Sequence, residues 1–339
     1  SRGLGDVYKR QTHPMNRRAC LQYGAALAAW AGTGSWAATP AWPQGPIKFV
    51  HGYPAGQTPD ILARQISPQL SELTGVPWVI DPRPGGGERL AANQMAQLAK
   101  NPPDGQTIYQ MTGGLTVISA VDKSVQFDLL RDFTYISMMT QYPFVFWVSA
   151  QSPFKTLADM VDYARKNPGK LSYGTSGVAN TLHMSVELMS YMTNTRMNHV
   201  PYKGPTAYTD VASGVLDMAV GTVAVGKGLY KEGRIRPLAV TSPKRWMEWT
   251  EIPAVAETVP GYEVVTWAAL CLPGKASPEL RDGVHRVIAD TLTKPAIVAT
   301  IEASGAMATV NSPDEMRQRV QNDLNKWKKV AEFAKISLD

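Results

Sequence analysis

Beyond residue 46, short apolar runs alternate with longer segments whose apolar residues recur every three or four positions. The runs at 47–51, 78–80 and 107–111 predict strands. Ile61, Leu62, Ile66, Leu70 and Leu73 fall on one helical face and predict a helix over 60–73, with a second over 90–99. Turns punctuate them at 52–56 and at Asn101-Pro102-Pro103-Asp104-Gly105. The alternation resumes with predicted strands at 172–174, 197–200, 218–220 and 237–241, and helices over 180–192 and 206–213. Thr156 with Asp159 reads as a capping box. Ser277-Pro278 and Ser312-Pro313 each place a cap before a proline that suits a first helical turn, the second opening a helix to about 334.

Repeated strand–loop–helix units favour parallel sheets with helical crossovers, so the predicted class is α/β. Apolar segments at 144–148 and 264–270 lie between the two sets of units and predict a paired crossing. The expected layout is one lobe from 47–147 plus 263–339 and a second from 148–262, each a mainly parallel sheet flanked by helices. Length agrees, since 339 residues suffice for two cores of ordinary size.

The N-terminal stretch reads differently. Residues 1–14 precede a natural-looking start at Met15 and are expected to be a non-native extension. Over 15–37, Arg17-Arg18 forms a basic start, 19–31 an uncharged Ala-rich run, and Ser35-Trp36-Ala37 a small-residue site, the pattern of an export signal cleaved near Ala37. The paired arginines hint at twin-arginine export, which Asn16 and Cys20 fit poorly. A linker follows over 38–46. Of the formal charge of +6, residues 1–37 contribute five basic groups against Asp6, leaving 29 basic and 27 acidic residues elsewhere. That near-neutral body argues against nucleic acid as a partner. Cys20 lies in the predicted signal, so Cys271 is left without an internal disulfide partner.

The chemistry concentrates in two turns. Tyr53, Pro54, Ala55, Gly56 and Gln57 join the first strand to the first helix, where unpaired N–H groups and the helix dipole favour an anion such as a carboxylate. Asp60, at the helix start, either meets the ligand or caps backbone N–H groups. In the second set, Thr175, Ser176, Gly177 and Asn180 offer hydroxyl and amide donors before another helix, with His183 one turn in. Read alone, this is also an ordinary polar turn. Thr112 and Gly113 end the third strand and border the same predicted cleft, and Lys203 precedes a later helix. No nucleophile elbow, phosphate loop, H-E-x-x-H or C-x-x-C is present, and the histidines after Met15 are scattered. Neither catalysis, a metal nor a cofactor is expected.

Together these landmarks resemble the tripartite tricarboxylate transporter receptor family, the Bug or TctC-like periplasmic binding proteins. They run in order from Tyr53-Pro54-Ala55-Gly56 with Asp60, through Arg83-Pro84-Gly85-Gly86-Gly87, Pro103-Asp104-Gly105, Asp132-Phe133-Thr134 and Ser176-Gly177 with His183, to Val200-Pro201-Tyr202-Lys203-Gly204 and Leu238-Ala239-Val240-Thr241. The resemblance implies a two-lobed, type II-like periplasmic binding fold that captures a small carboxylate and hands it to membrane permease subunits. It implies a periplasmic monomer whose Pro-Ala-Gly loop and Ser-Gly loop hold the carboxylate through backbone donors, with Thr222 reaching its far end. Gln57 stands where the family usually has a second glycine. The alternatives are a ligand-sensing subunit for a membrane signalling protein, or an enzyme on the same scaffold.

Overall fold

The computed structural model describes residues 42–202, 206–247 and 249–338. The predicted extension over 1–14, the signal over 15–37, the linker as far as residue 41, and Lys203 lie outside the described residues.

Two mixed α/β sheets, each flanked by helices, make up the architecture. The first strands are β1 (Ile47–His51), β2 (Trp78–Pro82) and β3 (Thr107–Thr112), interleaved with helices α1 (Thr58–Thr74), α2 (Arg89–Leu98) and α3 (Gly114–Val121). β1 pairs in parallel with both β2 and β3. Helix α1 turns Leu62, Ala63, Ile66 and Leu70 to the core and ends at Gly75, whose φ of 72° is the left-handed cap that glycine supplies cheaply. Phe49 and Trp78 meet edge to face at 5.3 Å beneath it.

Strand β4 (Phe133–Pro143) carries the chain out of this sheet, and after Phe144 strand β5 (Val145–Ser149) begins the other. There follow α4 (Leu157–Lys166), β6 (Ser172–Thr175), α5 (Thr181–Thr193), β7 (Asn198–Pro201), α6 (Thr206–Ala212), β8 (Met218–Gly221), α7 (Val223–Lys231), β9 (Ile235–Val240) and the short α8 (Val255–Thr258). β10 (Val265–Pro273) returns to the first sheet, and α9 (Pro278–Leu292), α10 (Pro295–Ala303), β11 (Met307–Ala308) and α11 (Pro313–Ala334) complete the chain. The six-stranded sheet runs β11-β4-β10-β3-β1-β2 and the five-stranded sheet β7-β6-β8-β5-β9. Within each, the strand–helix–strand units pair in parallel, whereas β4, β5, β9 and β10, which lead into and out of the crossing, pair antiparallel to their neighbours.

The predicted caps form. Thr156 and Asp159, and Ser312 and Glu315, make reciprocal capping boxes, and Ser277 caps α9. Helix α3 and strand β4 were not expected from the pattern. Each buries most of its length, so neither shows the alternation of a half-exposed element.

The two crossings are tied together at Thr241. Its N–H donates to the Phe144 carbonyl at 2.9 Å, and its carbonyl accepts from the Val264 N–H at 2.9 Å. The hydroxyl accepts from the Phe144 N–H at 2.7 Å and donates to the Val264 carbonyl at 2.6 Å. Thr241 is wholly buried. The lobes also meet away from the crossing: α11 packs on α5, and Tyr191 and Phe333 pair at 4.8 Å. The buried Cys271 directs its Sγ to the Tyr109 carbonyl at 3.4 Å.

Replacing Thr241 with Val leaves the Phe144 amide and the Val264 carbonyl each short of one buried partner. We expect a loss of about 2–4 kcal/mol in urea unfolding; a change below about 0.5 kcal/mol would show that the hydroxyl is not what binds the crossings.

Candidate functional site

On the six-stranded side, β1 ends in the loop of Tyr53 to Gln57, which leads into α1. Gly56 adopts φ +82°, and a Cβ there would point into open space. The glycine is therefore needed for its left-handed backbone. Its N–H donates to Asp60 Oδ2 at 2.9 Å. Asp60 is buried, also accepts from Arg64 Nε at 2.9 and 3.0 Å, and lies 3.3 Å from His51 Nε2. Burial pushes its carboxyl up, but Arg64, the Gly56 N–H and His51 together hold it below the usual range. Its carboxylate is thus committed to bracing the loop. Pro54, Ala55, Gly56 and Gln57 are exposed at the crest. Gln57 is the N-cap of α1, and its side chain makes no capping bond.

Behind the loop lies a residue that the sequence pattern did not single out. Three glycines, Gly85, Gly86 and Gly87, and then Glu88 itself all have positive φ, at 150°, 56°, 62° and 81°. This turn delivers the Glu88 side chain into the interior, where the residue is fully buried. Gly52 makes room for it, since a Cβ there would come within 2.4 Å of Glu88 Cγ. Oε1 accepts from the Tyr109 hydroxyl at 2.7 Å and the Thr112 N–H at 3.2 Å, and Oε2 lies 2.5 Å from Thr112 Oγ1. Thr112 Oγ1 is in turn 2.8 Å from the Tyr53 hydroxyl and accepts from the Gly114 N–H at 3.3 Å. Burial raises the Glu88 carboxyl to about 7, against the opposing pull of the Thr112 and Tyr109 hydrogen bonds. A glutamate directly after three consecutive glycines is the signal the sequence offers.

On the five-stranded side, β6 ends in the loop to α5. Asn180 is the N-cap: its Oδ1 accepts from the His183 N–H at 2.9 Å, and its Nδ2 donates to Ser176 Oγ at 3.2 Å. The Thr175 hydroxyl donates to the Gly177 carbonyl at 2.8 Å and sits 2.7 Å from His199 Nε2, so it is spent on folding its own loop. Ala179 is buried at φ 55°, a conformation costing a non-glycine residue roughly 1–2 kcal/mol. Its N–H donates to His183 Nδ1 at 3.0 Å. The His183 ring stacks on His199 at 3.8 Å, with Tyr173 alongside. Burial, with His199 beside it, lowers His183 to about 3, and burial lowers His199 to about 4. Both are neutral rings that shape the loop.

The two sides meet. A Cβ built on Gly114, the first residue of α3, would lie 3.2 Å from the Tyr53 hydroxyl, 3.3 Å from Thr112 Oγ1 and 3.9 Å from Thr181 Oγ1 of the other lobe. The structure thus gathers Tyr53, Thr112 and the Gly113-Gly114 pair and sets them against the start of α5. Thr222 N-caps α7 at the end of β8, beside β6, and its Oγ1 is buried with no protein partner. Gly305 closes onto Val223 from the first lobe. Further along this junction is a cavity of ≈ 220 Å³ bordered by Lys227, Trp246, Trp249 and Glu302; residues 53–57 and 175–180 do not line it. Among the described residues, no group of three or more His, Cys, Asp or Glu could hold a metal ion, and no helix is long and apolar enough to cross a membrane.

Residues 62–336 match the model of the tripartite tricarboxylate transporter family receptor. The chain belongs to that receptor family. A Pseudomonas sp. (strain P51) protein from the tcbD-tcbE intergenic region is 30% identical over 310 residues, 91% of each chain. The receptor superposes on R. palustris Rpa4515, solved with adipate, at TM-score 0.76 and 33% identity over 87% of this chain and 99% of that one. A periplasmic transporter structure gives the same TM-score at 25% identity, over 88% and 100%. The fold is that of periplasmic binding proteins, and the family is one of solute-binding receptors, not enzymes.

Glu88 makes stability depend on pH. Its folded value, about 7, exceeds the ordinary 4.5, so its contribution is fully present below about pH 4.5 and is lost as pH rises through about 7. Relative to Glu88→Gln, the wild-type receptor is expected to lose about 3 kcal/mol between pH 4 and pH 8 in urea unfolding. A difference that stays flat across this range would show that the carboxyl titrates normally.

Proposed function

We propose that this receptor captures a small carboxylate in the gap between its lobes and delivers it to the membrane permease of a tripartite transporter, acting as a periplasmic monomer. The observation that carries the reading is the meeting of loops that begin helices in opposite lobes, with Gly114 and Tyr53 on one side and Thr181 on the other. Helices α1 and α3 start from the neighbouring parallel strands β1 and β3, and α5 and α7 from β6 and β8. Their N-termini supply N–H groups and positive dipole ends, each worth up to about 2 kcal/mol toward an anion in a partly buried setting. No arginine or lysine is required at the carboxylate itself.

In this reading, Tyr53 and the backbone of Pro54 to Gln57 contact the ligand from the first lobe, with Thr112 and Gly113 beneath. Ser176, Gly177 and Asn180 contact it from the second, Thr175 and His183 hold that loop in shape, and the unpartnered Thr222 hydroxyl meets the more distant part of the ligand. Asp60 acts through Gly56. Because both loops touch the ligand only when the lobes are together, the ligand favours the closed form.

Adipate, present in the structure of the R. palustris relative, heads the panel of mono-, di- and tricarboxylates to be screened by thermal shift and calorimetry. A true ligand at a hundred times its Kd is expected to add about 2.7 kcal/mol and raise Tm by roughly 5 °C. Asn180→Ala, which removes both the cap and the tether to Ser176, should weaken binding about tenfold, or about 1.4 kcal/mol. Failure of every carboxylate in a broad panel to bind would overturn the proposal.

A further inference from the structure

Resting on the carboxylate-binding reading, we propose that Glu88 is a positioning residue whose proton sets the direction of a hydrogen-bond chain through Thr112 to Tyr53, so that the receptor takes up a proton when it takes up its ligand.

The argument is a count of donors. Thr112 Oγ1 has one proton and two lone pairs. Its neighbours are Glu88 Oε2 at 2.5 Å, the Tyr53 hydroxyl at 2.8 Å and the Gly114 N–H at 3.3 Å, the last able only to donate. On the other carboxyl oxygen, the Thr112 N–H, and the Tyr109 hydroxyl in the bond it makes there, donate in both states. When Glu88 is ionised it can only accept. Thr112 must then give its proton to Oε2, and Tyr53 must give its own to Thr112. The Tyr53 oxygen is left with only lone pairs for the gap, which repels a carboxylate. When Glu88 is protonated, Oε2–H donates to Thr112, the Gly114 N–H fills the second lone pair, and the threonine proton turns to the Tyr53 oxygen. The Tyr53 proton is then free to point at the ligand. No atom moves except hydrogens.

The Tyr53 hydroxyl is well placed for this, because it sits at Gly114, where Thr181 of the other lobe comes near. The surroundings of Glu88 hold nothing that would fix its charge. The titratable groups facing it are Tyr53, Tyr109 on β3, Tyr142 on β4 and Cys271 on β10, all pushed up by burial and so neutral. Arg89, next in sequence, is paired with Asp122. Helix α3, whose Ile118 lies against Gly87, carries no titratable side chain. Across the gap His183 and His199 stay neutral above about pH 5, given their values of about 3 and about 4. With Glu88 titrating at about 7, a carboxyl in this position changes state within the working range of pH.

The test is calorimetry of adipate binding to the wild-type receptor and to E88Q, at pH 6.5 and pH 8.5, in buffers of differing ionisation enthalpy. Binding that requires the protonated carboxyl weakens roughly twentyfold from pH 6.5 to pH 8.5 and takes up nearly one proton at the higher pH. In E88Q the amide Nε2 donates permanently to Thr112. Its affinity is expected to be level across the range, about thirtyfold tighter than wild type at pH 8.5, with no buffer-dependent heat. Wild-type binding that is flat with pH and free of proton uptake overturns this inference and leaves the carboxylate receptor standing; that arm needs no variant to fold. The titration uses adipate or, where adipate does not bind, the tightest carboxylate of the panel; binding by none of them at either pH overturns this inference through the reading beneath it. Proton uptake that persists in E88Q places the titrating group elsewhere and also overturns it.

Discussion

The position of every group in the gap follows from how the chain passes between its two sheets. It does so twice, and Thr241 binds both passages through its amide, its carbonyl and its hydroxyl. One residue therefore fixes where β5 leaves β4 and where β10 resumes. The start of α3 at the carboxyl end of β3 then lies against the start of α5 beyond β6, through Gly114 and Thr181. Away from the crossing, the lobes touch through α11 on α5 and through Gly305 on Val223. In the proposed closure, the chain would bend at the buried crossing while such contacts slide or part.

The second constraint is electrostatic. In the proposed reading, a carboxylate leaving water must be met by donors. Here the loops present helix starts. The nearby acids are kept out of the way by different means: Asp60 is neutralised by Arg64 and by the Gly56 N–H, while burial keeps Glu88 largely protonated below about pH 7. The rings of His183 and His199, uncharged and stacked, shape the second loop without adding charge that changes with pH.

Much of this was legible in the amino-acid pattern because the helices that matter are amphipathic and well capped. Ser312-Pro313-Asp314-Glu315 announces α11 with its capping box, and the apolar stripe of α1 places Tyr53 to Gln57 at a strand–helix turn. Family landmarks then select the fold. What stayed hidden was buried on all sides. Helix α3 is a run of Leu115, Val117, Ile118 and Val121 with no polar face, and β4 lacks alternation because both its faces are covered. Glu88 was hidden for a different reason. Its importance lies in contacts to Tyr109 and Thr112, about twenty residues away, and no local spacing encodes them. Likewise, Thr175 sits in the turn that the pattern marks and His183 just beyond it in α5, yet the pattern could not tell that their polar atoms are spent on that turn.

The lone thiol on β10 has a practical consequence. Cys271 is wholly buried against Tyr109, and burial raises its pKa well above that of a free cysteine, so little of it is thiolate. In a chain that begins at Trp42 it is the only sulfhydryl, and alkylating or fluorescent reagents should pass it by while the fold is intact. A cysteine engineered at the exposed Val178 would then be labelled alone, giving an optical reporter of loop approach without first removing a native cysteine. Conversely, reaction at position 271 would time the opening of the six-stranded core itself.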